Sequence, residues 1–203
     1  MPYKRRLWIP DRFYHVVSRG NRRDPLFWED ADFLAFFHIL KQVYEKYPFE
    51  IAAYCLMTNH FHLLMRSPEV PLSKVMSLIN KRYANYYNNR YGLTGHVFEK
   101  RFRGDRVDDR RGILAVSWYI HLNPVEARMV NHPSGYSWSS YYLFKDSGFE
   151  QPDFMNTDYI LDFYQGTAEE KRGEYCAELD RRRDDPKYVG KPCSTGLFHD
   201  GSS

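Results

Sequence analysis

The stretch FEIAAYCLMTNHFHLLM, residues Phe49–Met65, decides the fold. It holds two apolar runs, Phe49 to Met57 and His60 to Met65, separated only by Thr58 and Asn59. Runs of this length suit two adjacent antiparallel strands joined by a tight turn. Pro48 before them, and Pro68 and Pro71 after them, mark the pair off from its neighbours.

Upstream, Phe13 to Ser18 reads as a strand, with Tyr14, Val16 and Ser18 on one face and Phe13, His15 and Val17 on the other. Arg19-Gly20-Asn21-Arg22-Arg23 ends it in a basic turn. Asp30 or Asp32 can cap a helix running to about Lys46, whose Phe33, Phe36, Phe37, Leu40, Val43, Tyr44 and Tyr47 keep the helical period. Downstream, Ser73 offers an N-cap for a long helix to about Asn89, ended by Tyr91-Gly92. Val97 to Val107 alternates as a strand. Asp108 or Asp109 can cap a helix through Leu122, and Pro124 suits the first residue of another short helix. This order predicts an α+β layer, most economically a ferredoxin-like antiparallel sheet with helices packed on it.

After Lys145 the pattern weakens. Tyr159 to Tyr164 and Ala168 to Leu179 suggest short helices, while Arg181 to Asp185 and the Gly/Ser-rich end read as solvated. The expected organisation is one domain over 1–145 and a partly helical accessory segment over 146–203. Charge divides at the same place. The whole chain carries 29 Lys+Arg against 26 Asp+Glu, but 1–145 carry 22 against 13 and 146–203 carry 7 against 13. A basic body with an acidic tail suits a polyanion-binding surface, although a folded domain beside a solubilising tail has the same charge pattern.

Several classes fall away. Apolar runs such as Ile51 to Met57 are too short to span a bilayer, and the first residues lack the apolar core of a signal peptide. Cys55, Cys176 and Cys193 are odd in number and widely spaced, which argues against a disulfide framework or thiolate zinc site and for a reducing cytoplasm.

His60-Phe61-His62 is the sharpest chemical feature. Positions i and i+2 of a strand share a face, so the two imidazoles project together while Phe61 and Leu63 face the core. Paired neutral imidazoles begin a divalent metal site, and two satisfied histidines at a strand edge give the same pattern. With an amide or carboxylate oxygen, water and a substrate phosphate, such a site would suit Mg²⁺ or Mn²⁺. If the helix persists past Leu122, Tyr119 and Asn123 lie at i and i+4 on one face, where a phenol could act as nucleophile. Asn123 precedes a proline and can equally cap the next helix. From Lys81 to Arg111, nine Lys/Arg stand against four Asp/Glu, interleaved with Tyr83, Tyr86, Tyr87, Tyr91, Phe98 and Phe102. Cations beside aromatic faces suit phosphate contact and base stacking, which is preferred over a merely solvated helix face.

Together these residues resemble the HUH-type tyrosine transposases, in particular the REP-associated branch. The resemblance runs in order from about Tyr14 to Tyr142. It covers His15-Val16-Val17-Ser18-Arg19-Gly20-Asn21, the block Ala53 to Leu64, Gly95-His96-Val97-Phe98 with Arg101-Phe102, Tyr119 to Val125, and Tyr136 to Tyr141. It implies a ferredoxin-like domain that recognises single-stranded DNA, often folded as a hairpin, and cuts and rejoins it through a 5′-phosphotyrosine. It makes His60, His62 and Asn123 ligands of a divalent metal and Tyr119 the nucleophile. The Arg19-Gly20-Asn21 turn is expected to read bases near the hairpin foot, with Arg82, Lys100, Arg101 and Arg103 as further DNA contacts. Glu126 and the Glu99-Lys100 pair depart from the family pattern. A silent hairpin-binding relative and a water-using phosphodiesterase are the alternatives, and a monomer is favoured over a homodimer.

Overall fold

The computed structural model describes residues 8–185. Its central sheet has four antiparallel strands: β1 (Phe13–Arg19), β2 (Glu50–Met57), β3 (His60–Arg66) and β4 (Arg103–Val107), in the order β2-β3-β1-β4. Helices α1 (Asp30–Lys46) and α2 (Leu72–Tyr91) connect β1 to β2 and β3 to β4. This is the expected ferredoxin-like arrangement. α3 (Arg110–Glu126) follows β4, and α4 (Tyr141–Lys145), α5 (Asp158–Leu161) and α6 (Ala168–Asp184) complete the described chain.

Both sheet faces are covered, which explains why β2 and β3 read as nearly continuous apolar runs. Val16, Leu56, Phe61 and Leu63 pack against Phe36, Leu40, Val43, Val75 and Ile79 of α1 and α2. Phe13, Cys55 and Leu64 face the opposite layer with Val116, Ile120, Phe144, Tyr175 and Leu179 of α3, α4 and α6. Each fully buried side chain of this size stabilises the fold by roughly 1.5–3 kcal/mol.

Local chemistry moves several element ends. α1 begins after Glu29, and Asp32 reaches back from inside the first turn to accept from the amides of Trp28 (2.8 Å) and Glu29 (3.2 Å). α2 begins at Leu72 because Pro71, with φ −53°, already directs the chain into the helix, so Ser73 lies within the first turn. Gly92 ends α2 in the left-handed region, φ 62°. Only the last part of the expected 97–107 strand is strand. Residues 97–99 turn aside to the end of β1, where Asn21 N–H donates to Val97 O (2.8 Å) and Glu99 N–H to Arg19 O (3.0 Å).

The expected break before Pro124 is absent, and α3 runs through it from its Asp109 cap, whose carboxylate accepts from Gly112 N–H at 2.7 Å. Pro124 sits in the last turn, where its missing N–H removes one hydrogen bond near an end that frays anyway. Asn123 is therefore helical and caps nothing.

The 146 boundary marks a change of charge rather than a gap in packing. Ile51 N–H donates to Phe154 O (2.8 Å), Asn156 N–H donates to Ile51 O (2.9 Å), and α6 sets Tyr175 and Leu179 in the core beside α3. A buried hydrogen-bond chain joins these layers. Tyr54 N–H donates to Ser140 Oγ (2.8 Å), and that hydroxyl lies 2.8 Å from His121 Nε2. On the other side His121 Nδ1 lies 2.7 Å from Tyr175 Oη, which donates to Ser117 Oγ (3.2 Å) and onward to Leu114 O (2.8 Å). Each link carries one proton when His121 is neutral and protonated on Nδ1. Arg181 to Asp184 continue α6, with Arg181 and Asp184 exposed to solvent while the Arg182 guanidinium packs 3.6 Å from the Trp118 ring centroid. Cys193 and the Gly/Ser-rich end lie outside the described residues.

Candidate active site and nucleic-acid interface

β1 and β3 pair so that Val17 stands opposite His62 and Arg19 opposite His60. The strand period aims His15, His60 and His62 at the layer containing α3, and that helix carries Tyr119 and Asn123 over them. The His60 and His62 ring centroids are 4.9 Å apart, and Tyr119 stands edge-on to His62 at 5.5 Å and to His15 at 5.8 Å. The predicted pair, the predicted tyrosine and the predicted amide thus meet in one place, built from one chain.

The hydrogen bonds fix the imidazoles. Asn59 donates through Nδ2 to Arg23 O (3.2 Å), which orients its amide so that Oδ1 accepts from His60 Nδ1–H at 2.7 Å. The proton on Nδ1 leaves His60 Nε2 with a lone pair, and the Asn123 side chain also stands beside that ring. His62 Nδ1 lies 2.9 Å from His15 Nε2, while His62 Nε2 is buried with no hydrogen-bond partner among the described residues. A buried polar atom is costly to leave unpaired, so a ligand that meets this nitrogen is favoured.

All three histidines favour the neutral form. Burial, helped by the Arg103 charge, lowers His15 to about 4. Burial and the Arg19 charge lower His60 to about 4 against a small opposing effect of Asn123. Burial first, then the neighbouring His15, His60 and Arg19, holds His62 well below its usual value. Neutral imidazole is the form that binds metals. Two such nitrogens, one of them orphaned, plus the Asn123 amide oxygen form a donor set that fits a divalent cation also holding water and phosphate oxygens. Among the described residues, no three His, Cys, Asp or Glu side chains are grouped to hold a metal by themselves, so the amide would be needed.

The basic residues gather unevenly. Gly20 N–H donates to Asn59 O (2.8 Å), pinning the Arg19-Gly20-Asn21 turn beside His60. A Cβ on Gly20 would lie 2.1 Å from the Asp24 carbonyl oxygen, so glycine is needed there for the close turn. Lys100 and Arg101 follow the 97–99 segment paired with that turn, and Arg103 stands opposite Val17 on β4 and pairs with Asp105 (2.6 Å). Arg82 is different. It belongs to α2 on the other face of the sheet and donates to Gln42 of α1 at 2.9 Å. His15 and Asn59 were not singled out as site residues by sequence reasoning. The alternation of β1 places His15 on one face with Val17, but only the β1–β3 register shows that this face carries His62.

The sequence profile described as "Transposase IS200 like" matches residues 10–123, more than half of the chain and ending on Asn123. The chain belongs to the IS200-like transposase family. A Haemophilus influenzae protein under the provisional name REP-associated tyrosine transposase is 27% identical to this family member over 114 residues, covering 50% of the chain and 64% of the relative. The chain therefore spans somewhat less than two thirds of that relative's length. A solved structure of a REP-associated tyrosine transposase bound to a REP hairpin superposes with a TM-score of 0.62 at 21% identity, covering 83% of this IS200-like chain and 93% of the other. That likeness extends to the chain beyond residue 123 and shows a shared fold.

Proposed function

We propose that the protein is a metal-dependent, single-strand-specific DNA endonuclease and strand transferase that cuts and rejoins DNA near hairpins through a 5′-phosphotyrosine. The observation that carries this reading is the edge-on placement of Tyr119 against His62, beside the orphaned Nε2 of that ring. Family membership and the hairpin-bound relative of the same fold support it.

A bound Mg²⁺ or Mn²⁺ would polarise the scissile phosphate and offset charge in the transition state. His60, His62 and Asn123 would hold it, with Asn59 and His15 fixing the two rings from behind. Tyr119 Oη attacks phosphorus, the P–O3′ bond breaks, and the 3′-oxygen leaves as a hydroxyl after taking a proton. The phosphotyrosine ester conserves the bond energy, so attack by a 3′-hydroxyl reverses the step and releases the tyrosine without ATP. Arg19, Lys100, Arg101 and Arg103 lie at the site end of the sheet, where they would hold backbone phosphates. Unpaired DNA is the natural substrate because a duplex constrains the backbone around the reacting phosphate. Assembly of all four site residues from one chain supports action as a monomer.

Wild type and Tyr119→Phe, incubated with labelled hairpin oligonucleotides and Mn²⁺, test the reading on a denaturing gel. A wild-type adduct that disappears in Tyr119→Phe is expected. Cleavage that survives the substitution would point to water as nucleophile, and binding without cleavage across many sequences to a silent hairpin-binding protein.

A further inference from the structure

The DNA reading leaves one conspicuous residue without a role. Trp28 is 62% exposed, the most exposed of the large hydrophobic side chains among the described residues. Single exposed hydrophobics are common and need no explanation. This one is held unusually firmly. Its indole N–H donates to Tyr87 Oη (2.8 Å), and Tyr87 donates in turn to Pro25 O (2.8 Å). Its backbone amide is taken by the buried Asp32 carboxylate, which also accepts from Tyr91 Oη (2.7 Å), and the Tyr91 ring stands 6.5 Å away. The polar edge is satisfied and the ring is fixed, while its surface remains open to solvent.

The surroundings point to a polyanion. Arg22 and Arg23 lie six and five residues earlier, both in the left-handed region with φ 53° and 63°, a conformation non-glycine residues rarely hold. Neither guanidinium makes an ion pair among the described residues. The whole segment is stitched to the β2–β3 turn: Leu26 and Phe27 amides donate to Thr58 O at 2.8 and 3.0 Å, and Asn59 bonds both Arg23 O and His60. A rigid, exposed indole therefore sits on the same short segment as two unpaired cations, and that segment is tied to the residue preceding His60.

We infer that Trp28 is a stacking platform for an unpaired base of the strand flanking the hairpin, with Arg22 and Arg23 gripping the adjacent phosphates. The inference rests on the DNA reading and adds a subsite to it. An open indole face with nearby cations is the chemistry by which proteins hold single strands. A protein partner is the competing occupant, and it would have to bring acidic groups to the two arginines.

The full chain, Trp28→Ala, Trp28→Phe and Arg22→Ala/Arg23→Ala are compared by fluorescence anisotropy on a blunt hairpin and on hairpins with unpaired 5′ or 3′ extensions. Thermal melts confirm that each variant is folded. Trp28→Ala is expected to weaken binding to one extended hairpin by about five- to 150-fold, the range that loss of one base–aromatic stack produces. It should leave the blunt hairpin within about twofold, with Trp28→Phe retaining most of the affinity for the extended hairpin. The arginine double variant should lower the slope of log affinity against log salt by up to about 2. Equal affinity of wild type and Trp28→Ala for both extended hairpins overturns the platform and leaves the DNA reading standing. Wild type that binds none of the oligonucleotides overturns both.

Discussion

His121 offers a quantitative test of how α6 is docked on α3. It is fully buried, its side chain points away from the face carrying Tyr119 and Asn123, and its two nitrogens close a chain that requires a neutral ring. Burial lowers its pKa from 6.5 to about 3. Because the folded value lies below the unfolded one, the stabilisation is complete above about pH 6.5, where both states are neutral. It declines as the unfolded state takes up a proton and is exhausted once pH falls through about 3. At pH 5 the unfolded histidine is almost fully protonated and the folded one hardly at all. That difference amounts to about 2 kcal/mol, against a typical total stability of roughly 5–15 kcal/mol. His121→Gln removes the titration while keeping an amide in the chain. Urea unfolding of both proteins near pH 7.5 and pH 5 measures the effect, with the variant less stable at neutral pH but losing about 2 kcal/mol less on acidification. Other histidines contribute equally to both proteins and cancel. An identical acid-induced loss in the two proteins would refute the reasoning, because His121 would then titrate alike folded and unfolded.

Other consequences follow from the same contacts. Tyr175→Phe leaves the buried His121 Nδ1–H without an acceptor and should lower unfolding free energy by about 1–3 kcal/mol at neutral pH, read by denaturant titration. His15→Phe removes the ring that orients His62 and leaves the buried His62 Nδ1 unpaired, so Mn²⁺ affinity by calorimetry should fall about 10- to 100-fold and unfolding free energy should drop by about 1–3 kcal/mol. Arg19→Ala should weaken hairpin binding measurably, and Arg82→Ala should not, because Arg82 is engaged with Gln42 on the opposite layer. Asp32→Ala strips the acceptor from two tyrosine hydroxyls and two amides at the α1–α2 junction and should destabilise the fold by about 3 kcal/mol or more in the same denaturant assay.

The sequence made the sheet legible because β2 and β3 are apolar on both faces and separated by two residues. The same two-residue period puts His60 and His62 on one face of β3. Register was not legible. His15 and His62 are neighbours only because β1 lies beside β3, a pairing between residues 47 apart in sequence. Pro124 misled for a definable reason: a proline signals a helix break from sequence, but in a final turn it removes a bond that the helix can do without. The placement of Arg82 was not legible either, because charge reads along the chain while α2 carries that residue to the other side of the sheet. Nothing in the sequence sets Trp28 apart from the 34 other Phe, Tyr and Trp residues; its exposure and its bond to Tyr87 do.

The central claim is a covalent bond from Tyr119 to DNA, and peptide mass mapping reads it directly. The protein is incubated with a hairpin oligonucleotide and Mn²⁺, denatured, digested with nuclease and protease, and searched for modified peptides. The account predicts a 5′-phosphonucleotide on the peptide containing Tyr119 and on no other tyrosine. Cleaved DNA with every tyrosine unmodified, or an adduct on a different residue, would contradict it.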